Sequence, residues 1–211
     1  MRSCLRRSWR GSLMRDSNLE KMIIEREELL IRDYDSALDL AGFSEKDTVL
    51  DVATGTGRML LQILKRGCKV VSGDIDAGAL DRAKERLGDL AGKPTLVVMD
   101  AHKLPFDDES FGAVVVANAI HELDDARGAL DDIRRVLQPN GKLLVTEFNS
   151  TGFELMELHH RMQGRGEHRR GEMTTEQIDA YLRSWFERVE SRGFGLTQAW
   201  VASGKRNGGK R

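Results

Sequence analysis

Between residues 48 and 66 the chain passes from a β-favouring stretch, Thr48-Val49-Leu50-Asp51, through the glycine-rich turn Asp51-Val52-Ala53-Thr54-Gly55-Thr56-Gly57, into the helical pattern of Arg58 to Arg66. The same alternation then repeats. Lys69 to Ser72 reads as a second strand, Ala77 to Leu90 as a helix and Thr95 to Met99 as a third strand. Ala113 to Ala117 is a fourth strand, Ala126 to Leu137 a helix, and Lys142 to Thr146 a fifth strand. An uninterrupted apolar strand such as Ala113-Val114-Val115-Val116-Ala117, set between helices, belongs to a parallel sheet covered on both faces. The expected fold class is therefore α/β and doubly wound.

The flanks complete this frame. Leu19, Met22, Ile23, Leu29, Leu30, Tyr34, Leu38 and Ala41 recur at helical spacing, which predicts a lead-in helix over 19 to 41 with Gly42 as its stop. After the fifth strand the rhythm breaks. Residues 152 to 163 read as a helix, 164 to 172 as a polar loop, and Thr174 to Trp185 as a helix capped by Thr174 with Gln177 three residues on. Phe186 to Ser191 and Leu196 to Ser203 alternate like two strands joined through Gly193-Phe194-Gly195, a terminal antiparallel hairpin.

At 211 residues the chain has room for one domain with a sizeable core. The expected division is a basic arm over 1 to 18, a single domain over 19 to 204 and a basic tail over 205 to 211. With 40% hydrophobic and 32% charged residues and only three prolines, it has the composition of a globular protein, and no apolar run is long enough for a membrane span. Cys4 and Cys68 form no partner pattern, so the reading is a reducing compartment.

The net charge of −1 is unevenly spread. Five arginines lie within residues 1 to 15, and Lys205, Arg206, Lys210 and Arg211 within the tail. Removing those nine positive charges leaves −10 between residues 16 and 204. An acidic body lacks the broad basic footprint that phosphate neutralisation requires, so the expected partner is a small molecule rather than nucleic acid. The expected location is the cytoplasm. The Arg- and Ser-rich, acid-free stretch MRSCLRRSWRGSLMR carries a mitochondrial transit peptide as the alternative, and an upstream start codon with Met14 as the true one would also account for it.

Glycines in a strand-to-helix turn let the backbone approach a ligand, and the helix start offers free N–H groups. NAD enzymes, other nucleotide binders and empty loops share this feature. Asp74 lies 17 residues beyond Gly57, near the spacing at which an acid accepts two ribose hydroxyls. A carboxylate suits that task because its two oxygens only accept hydrogen bonds. Asp76 is placed to cap the following helix. Asp100-Ala101 stands where a carboxylate and a backbone N–H can meet an adenine edge, and Asp100 can equally cap the turn before Pro105.

The succession VLDVATGTGRM, VVSGDIDAGALDRAKERL, VVMDAHKLPFDDESFGAVVVANAIHEL and LDDIRRVLQPNGKLLVTEF resembles the class I S-adenosylmethionine-dependent methyltransferases over about residues 44 to 148, within the group of quinone-biosynthesis and other small-molecule enzymes. The resemblance implies a mostly parallel seven-stranded sheet ending in an antiparallel hairpin, and S-adenosyl-L-methionine as cofactor. It places Asp51, Ala53, Thr54, Gly55, Thr56 and Gly57 around the cofactor's methionine part and Asp74 and Ile75 at its ribose. Asp100, Ala101 and His102 fall at the adenine, and Asn118 beside the sulfonium. Ala53 departs from the family's common glycine at that position, which makes the loop tighter there.

Methyl transfer from a sulfonium needs alignment, and a base only where the acceptor is protonated. His121 and Glu147 are the candidates for that role, with space filling or helix capping as the bland reading of His121 and a strand-end acid as that of Glu147. The region 149 to 175 and the N-terminal helix are expected to form the acceptor pocket. His159, His160 and His168 match no compact ligand spacing, so no metal is expected. Arg161, Arg165, Arg169 and Arg170 read as a solvated segment or a clamp for an anionic acceptor, and Trp185 and Trp200 as packing residues. The alternatives are an NAD-dependent oxidoreductase, against which stands Leu60 at the third glycine position of GxGxxG, and a non-catalytic partner subunit. Oligomeric state is not legible.

Overall fold

The computed structural model describes residues 21, 25–164, 166 and 170–206. A helix α1 over 25–41 leads into strand β1 (Thr48–Val52), α2 (Arg58–Lys65), β2 (Lys69–Asp74), α3 (Ala77–Leu87), β3 (Thr95–Val98) and β4 (Phe111–Ala117). Then come α4 (Ala126–Val136), β5 (Leu137–Phe148), α5 (Ser150–Met162), α6 (Thr175–Trp185), β6 (Phe186–Gly193) and β7 (Thr197–Lys205). The proposed basic arm over 1 to 18, Cys4, Met14 and residues 207 to 211 of the tail lie outside the described residues, as do Arg165, His168 and Arg169.

All seven strands form one sheet in the order β3-β2-β1-β4-β5-β7-β6. The first five run parallel, while β7 is antiparallel to both β5 and β6. An antiparallel strand inserted between β5 and the edge separates this sheet from the dinucleotide-binding one, whose six strands run 3-2-1-4-5-6. The doubly wound expectation and the terminal hairpin are both observed.

Helices cover both faces. One core packs Leu50, Val114, Val116, Leu143 and Val145 against Leu130 and Ile133 of α4 and Ile178 and Leu182 of α6. The other packs Val49, Val115 and Leu144 against α1 and α2 through Leu30, Leu38, Leu60 and Ile63. Val114, Val115 and Val116 are all fully buried, because successive side chains of β4 enter opposite cores. Each such side chain contributes roughly 1.5–3 kcal/mol relative to exposure.

The local signals act as their chemistry requires. α1 stops at Gly42, whose φ of 66° is left-handed and whose N–H closes back onto Leu38 O. Asp76 caps α3 by accepting from Gly78 N–H, and Thr174 with Gln177 forms a reciprocal capping box on α6. β5 differs from its expected span: it starts at Leu137, directly out of α4, rather than at Lys142. Leu137 already pairs with Phe111, and a register shift absorbs Gln138 to Gly141 before Lys142 pairs with Ala113. The residues left between the expected helix and the expected strand are a bulged strand start.

A contact of long sequence range locks the two ends together. Asp33 of α1 is buried and accepts from the N–H groups of Gly195 and Leu196, at 3.0 and 2.6 Å, and from the Thr197 hydroxyl at 3.2 Å. Trp200 fills the core with its indole N–H donated to Asp179, and Trp185 lies under the Arg134 guanidinium, 3.8 Å from the ring centroid.

Candidate active site

β1 and β4 are neighbours whose following helices cover opposite faces, so a crevice opens beyond their carboxyl ends. A cavity of about 600 Å³ lies there. Its floor is Asp51, Ala53, Thr54, Gly55 and Thr56 after β1, with Asp74 and Ile75 after β2 and Ala117, Asn118 and Ala119 after β4. The rest of the lining is His121, Glu122 and Leu123, with Arg26, Leu30 and Tyr34 of α1 and Phe148, Met156, His159 and His160 of β5 and α5. A second cavity of about 270 Å³ shares Ala53, Asp74, Ile75, Glu122 and Leu123 with the first and continues to Met99, Asp100, Ala101 and His102. The two form one trough over the strand ends.

The loop after β1 is wound by left-handed residues. Ala53, Gly55 and Gly57 have φ of 56°, 54° and 75°. Nothing lies within 4 Å of where a Cβ on Gly55 would stand, so the backbone is open to a ligand there. Gly57 does not line the cavity as its grouping with the methionine site implied. It starts α2, and a Cβ there would meet Ala83 of α3 at 3.0 Å, so its role is helix packing beneath the loop. Ala53 is tight for a backbone reason: a methyl-bearing residue occupies a conformation that favours glycine.

Asp74 ties loop to strand. Its Oδ2 accepts from Gly55 N–H at 2.9 Å and its Oδ1 from Asp76 N–H at 3.0 Å, leaving lone pairs on both oxygens toward the trough. Asp51 is buried, with Ser72 donating its hydroxyl at 2.7 Å. Burial pushes its carboxyl up to about 6, against the favourable effect of the neighbouring Thr54 hydroxyl and the Ser72 hydrogen bond, and the nearby Asp74 charge adds to the rise. At the far end Asp100 accepts the His102 N–H at 2.9 Å and meets its Nδ1 at 2.7 Å, and these bonds hold its carboxyl below the usual range. Asp100 thus caps its own turn while lining the trough.

Asn118 is fixed from behind. Its φ is 49°, its N–H donates to Thr146 O, and its Oδ1 accepts the Thr146 hydroxyl at 2.7 Å. Its buried Nδ2 has no partner among the described residues, although it belongs to the cavity wall. A buried donor of this kind fits a ligand with an acceptor atom at that point.

His121 and Glu147, 26 residues apart, are brought together. His121 Nδ1 lies 2.7 Å from Glu147 Oε1, and both side chains are buried. Glu147 also accepts the N–H of His121 at 3.0 Å and that of Phe148 at 2.7 Å. Those bonds turn the carboxylate inward, so Glu147 does not face the crevice as its strand position implied and reaches it only through the imidazole. Rings of Phe148 and Phe153 flank His121 at 5.6 and 5.3 Å between centroids. Gly171 presses on its backbone so closely that a Cβ would stand 2.5 Å from His121 Cα. The helix that follows is capped by Asp125, not by His121.

The α1 and α5 side chains on the cavity carry no motif. Arg26 Nη1 lies 2.9 Å from His159 Nδ1 and 3.1 Å from Met156 Sδ. Glu27 holds Arg58 with one oxygen and Arg86 with the other, and these arginines bind Thr56 through its hydroxyl and its carbonyl. The expectation that the N-terminal helix and the segment after β5 supply a pocket wall identifies the region, whereas Arg26, Leu30, Tyr34 and Met156 as cavity residues needed the structure. Arg170 pairs with Glu157 at 3.1 Å.

Residues 50–145 match the family described as a methyltransferase domain. The chain is 38% identical over 125 residues to the ubiquinone/menaquinone biosynthesis C-methyltransferase of Pseudomonas savastanoi, covering 57% of this chain and 49% of that protein. It is 36% identical over 105 residues to the demethylmenaquinone methyltransferase of Clavibacter sepedonicus, covering 49% and 42%. The chain thus spans about half the length of the curated relatives it matches. A solved S-adenosylmethionine-dependent methyltransferase from Aquifex aeolicus superposes with a TM-score of 0.62 at 22% identity, over 88% of this chain and 98% of that one, and so shares the fold. The matched segment runs from β1 into β5, and the described elements outside it include α1, α5 and the hairpin of β6 and β7.

Proposed function

We propose that this chain is an S-adenosylmethionine-dependent methyltransferase acting on a small-molecule acceptor. The observation that carries the reading is the trough over the strand ends, acidic where a nucleoside presents hydroxyls and an amine, and bordered by an imidazole backed by a carboxylate. When bound, the cofactor supplies a sulfonium methyl, already activated for in-line displacement, so the chain's task is alignment and proton handling.

Each residue then has a physical duty. Asp74 takes the ribose hydroxyls on its remaining lone pairs, with Ile75 against the sugar. Asp100, Ala101 and His102 border the adenine. Asp51 and the loop from Ala53 to Thr56 hold the methionine part, Gly57 supporting them from below, and the Asn118 amide donates beside the sulfonium. Glu147 positions the His121 ring through Nδ1, and Nε2, 3.7 Å from Glu122 Oε1, is the atom that would take the acceptor's proton.

The named relatives act in quinone biosynthesis, which supports a small-molecule acceptor, as does the acidic body. Residues 19 to 204 work as one domain, and composition supports a cytoplasmic setting. No helix among the described residues is long and apolar enough to cross a membrane.

Calorimetric titration tests the reading. S-adenosylhomocysteine should bind the wild type, NAD should not, and Asp74→Ala should weaken that binding on the order of 100-fold through loss of two charge-assisted hydrogen bonds. Absence of binding at millimolar ligand sinks the proposal.

A further inference from the structure

We propose that the methyl acceptor carries a carboxylate-like anionic group and that Arg26 is its receptor on the α1–α5 side of the cavity. This deepens the methyltransferase reading and rests on it.

Three arginines line the cavity, Arg26, Arg58 and Arg82. Two have anionic partners: Arg58 holds Glu27 at 2.6 Å and Arg82 holds Asp76 at 3.0 Å. Arg26 has none among the described residues. Its Nη1 meets the thioether of Met156 and the ring nitrogen of His159, and its Nε is buried with no partner. Both oxygens of Glu27, next to it in sequence, are bonded to Arg58 and Arg86, so Glu27 acts on Arg26 only through its field and not as an ion-pair partner. Burial and the like charge of Arg58 hold the Arg26 guanidinium below its usual value, against the attraction of Glu27 and Tyr34.

A partly buried guanidinium facing a cavity without a counter-ion is costly unless a ligand supplies one. The guanidinium fork suits a planar carboxylate. Leu30, Tyr34, Phe148 and Met156 line the same side of the cavity, which fits an apolar, flat body attached to that group. The cofactor's own carboxylate is the other possible anion. Arg58 is the better match for it, since it starts α2 and already binds Thr56 of the loop, whereas Arg26 is held by α5.

The test compares 4-hydroxybenzoate with 4-hydroxybenzamide by calorimetry on the full chain saturated with S-adenosylhomocysteine. In the wild type the acid should bind on the order of tenfold more tightly than the amide. In Arg26→Met that preference should vanish while the affinity for S-adenosylhomocysteine stays within about twofold, and Arg26→Lys should restore part of it. An equal affinity for acid and amide in the wild type overturns the proposal. So does an acid preference that survives in Arg26→Met, or a parallel loss of S-adenosylhomocysteine affinity, which assigns Arg26 to the cofactor. If S-adenosylhomocysteine fails to bind the wild type, the methyltransferase reading falls, and the acid-to-amide ratio measured without it still decides the role of Arg26.

Discussion

At the β1–β2 end of the trough the contacts that shape the site join near neighbours in the chain: Gly55 to Asp74 spans 19 residues and Ser72 to Asp51 spans 21. At the α1–α5 end Arg26 meets Met156 and His159 across 130 and 133 residues, and Asp33 meets Leu196 across 163. The first end is complete once a single β-α-β unit forms. The second exists only when the first and last parts of the chain have met, with the loop-closure cost that implies. In the proposed reading the nucleoside side of the trough is built from contacts close in sequence and the acceptor side from distant ones.

The largest test of this contrast is Glu147→Gln. It should lower kcat by 100-fold or more, about 3 kcal/mol, with S-adenosylhomocysteine affinity unchanged, because Glu147 acts behind His121 and does not line the crevice. Steady-state kinetics with an acceptor found by labelled-methyl screening, paired with calorimetry, would break the contrast if both quantities fell together.

Asp51 probes the other end. Its carboxyl, near 3.8 when exposed, is raised to about 6 in the fold, so between those values the folded chain holds a proton that the unfolded chain has released. Stability of the ligand-free protein should therefore fall as pH rises from about 4 to about 6, by up to about 3 kcal/mol. Asp51→Asn should flatten that decline in melting temperature against pH and weaken S-adenosylhomocysteine binding. A slope that survives the substitution would assign it to other groups.

Asp33→Ala should cost about 2 kcal/mol, seen as a lower urea midpoint, by leaving the N–H groups of Gly195 and Leu196 unanswered. Cofactor affinity should change little if the two ends are independent. The smallest effect is Ala53→Gly. Relief of a left-handed alanine gains about 1 kcal/mol, and the extra freedom of the unfolded chain offsets roughly 0.4–1 kcal/mol. Melting temperature should stay level or rise slightly, and a clear fall would show that the Ala53 methyl packs to more effect than its backbone strain.

The same division governs what the sequence discloses. Apolar runs such as 113 to 117, the caps at Asp76 and Thr174 and the spacing from Gly57 to Asp74 are written within a few dozen residues, and the strands, helices and acid positions follow from them. The pairing of His121 with Glu147 was within reach because His121 follows β4 and Glu147 stands at the end of its parallel neighbour β5. The inward turn of Glu147 was not, since it depends on two backbone N–H donors and the His121 ring, whose directions come from the folded chain. Arg26, Tyr34 and Met156 look like ordinary helix residues until α1 and α5 are laid side by side. The early start of β5 at Leu137 stayed hidden for a related reason, since the bulge over Gln138 to Gly141 is defined by the strand that lies opposite.

Asp33 and the hairpin bear on how the chain can be divided. The segment that carries the family signature stops at residue 145, in the middle of β5. From Lys142 to Phe148 that strand is bonded to β7, and Leu143, Leu144 and Val145 are wholly buried. A fragment cut at the signature would end in an apolar strand with its outer edge bare, a template for self-association. The recognisable unit of descent is thus smaller than the unit that can be expressed and handled.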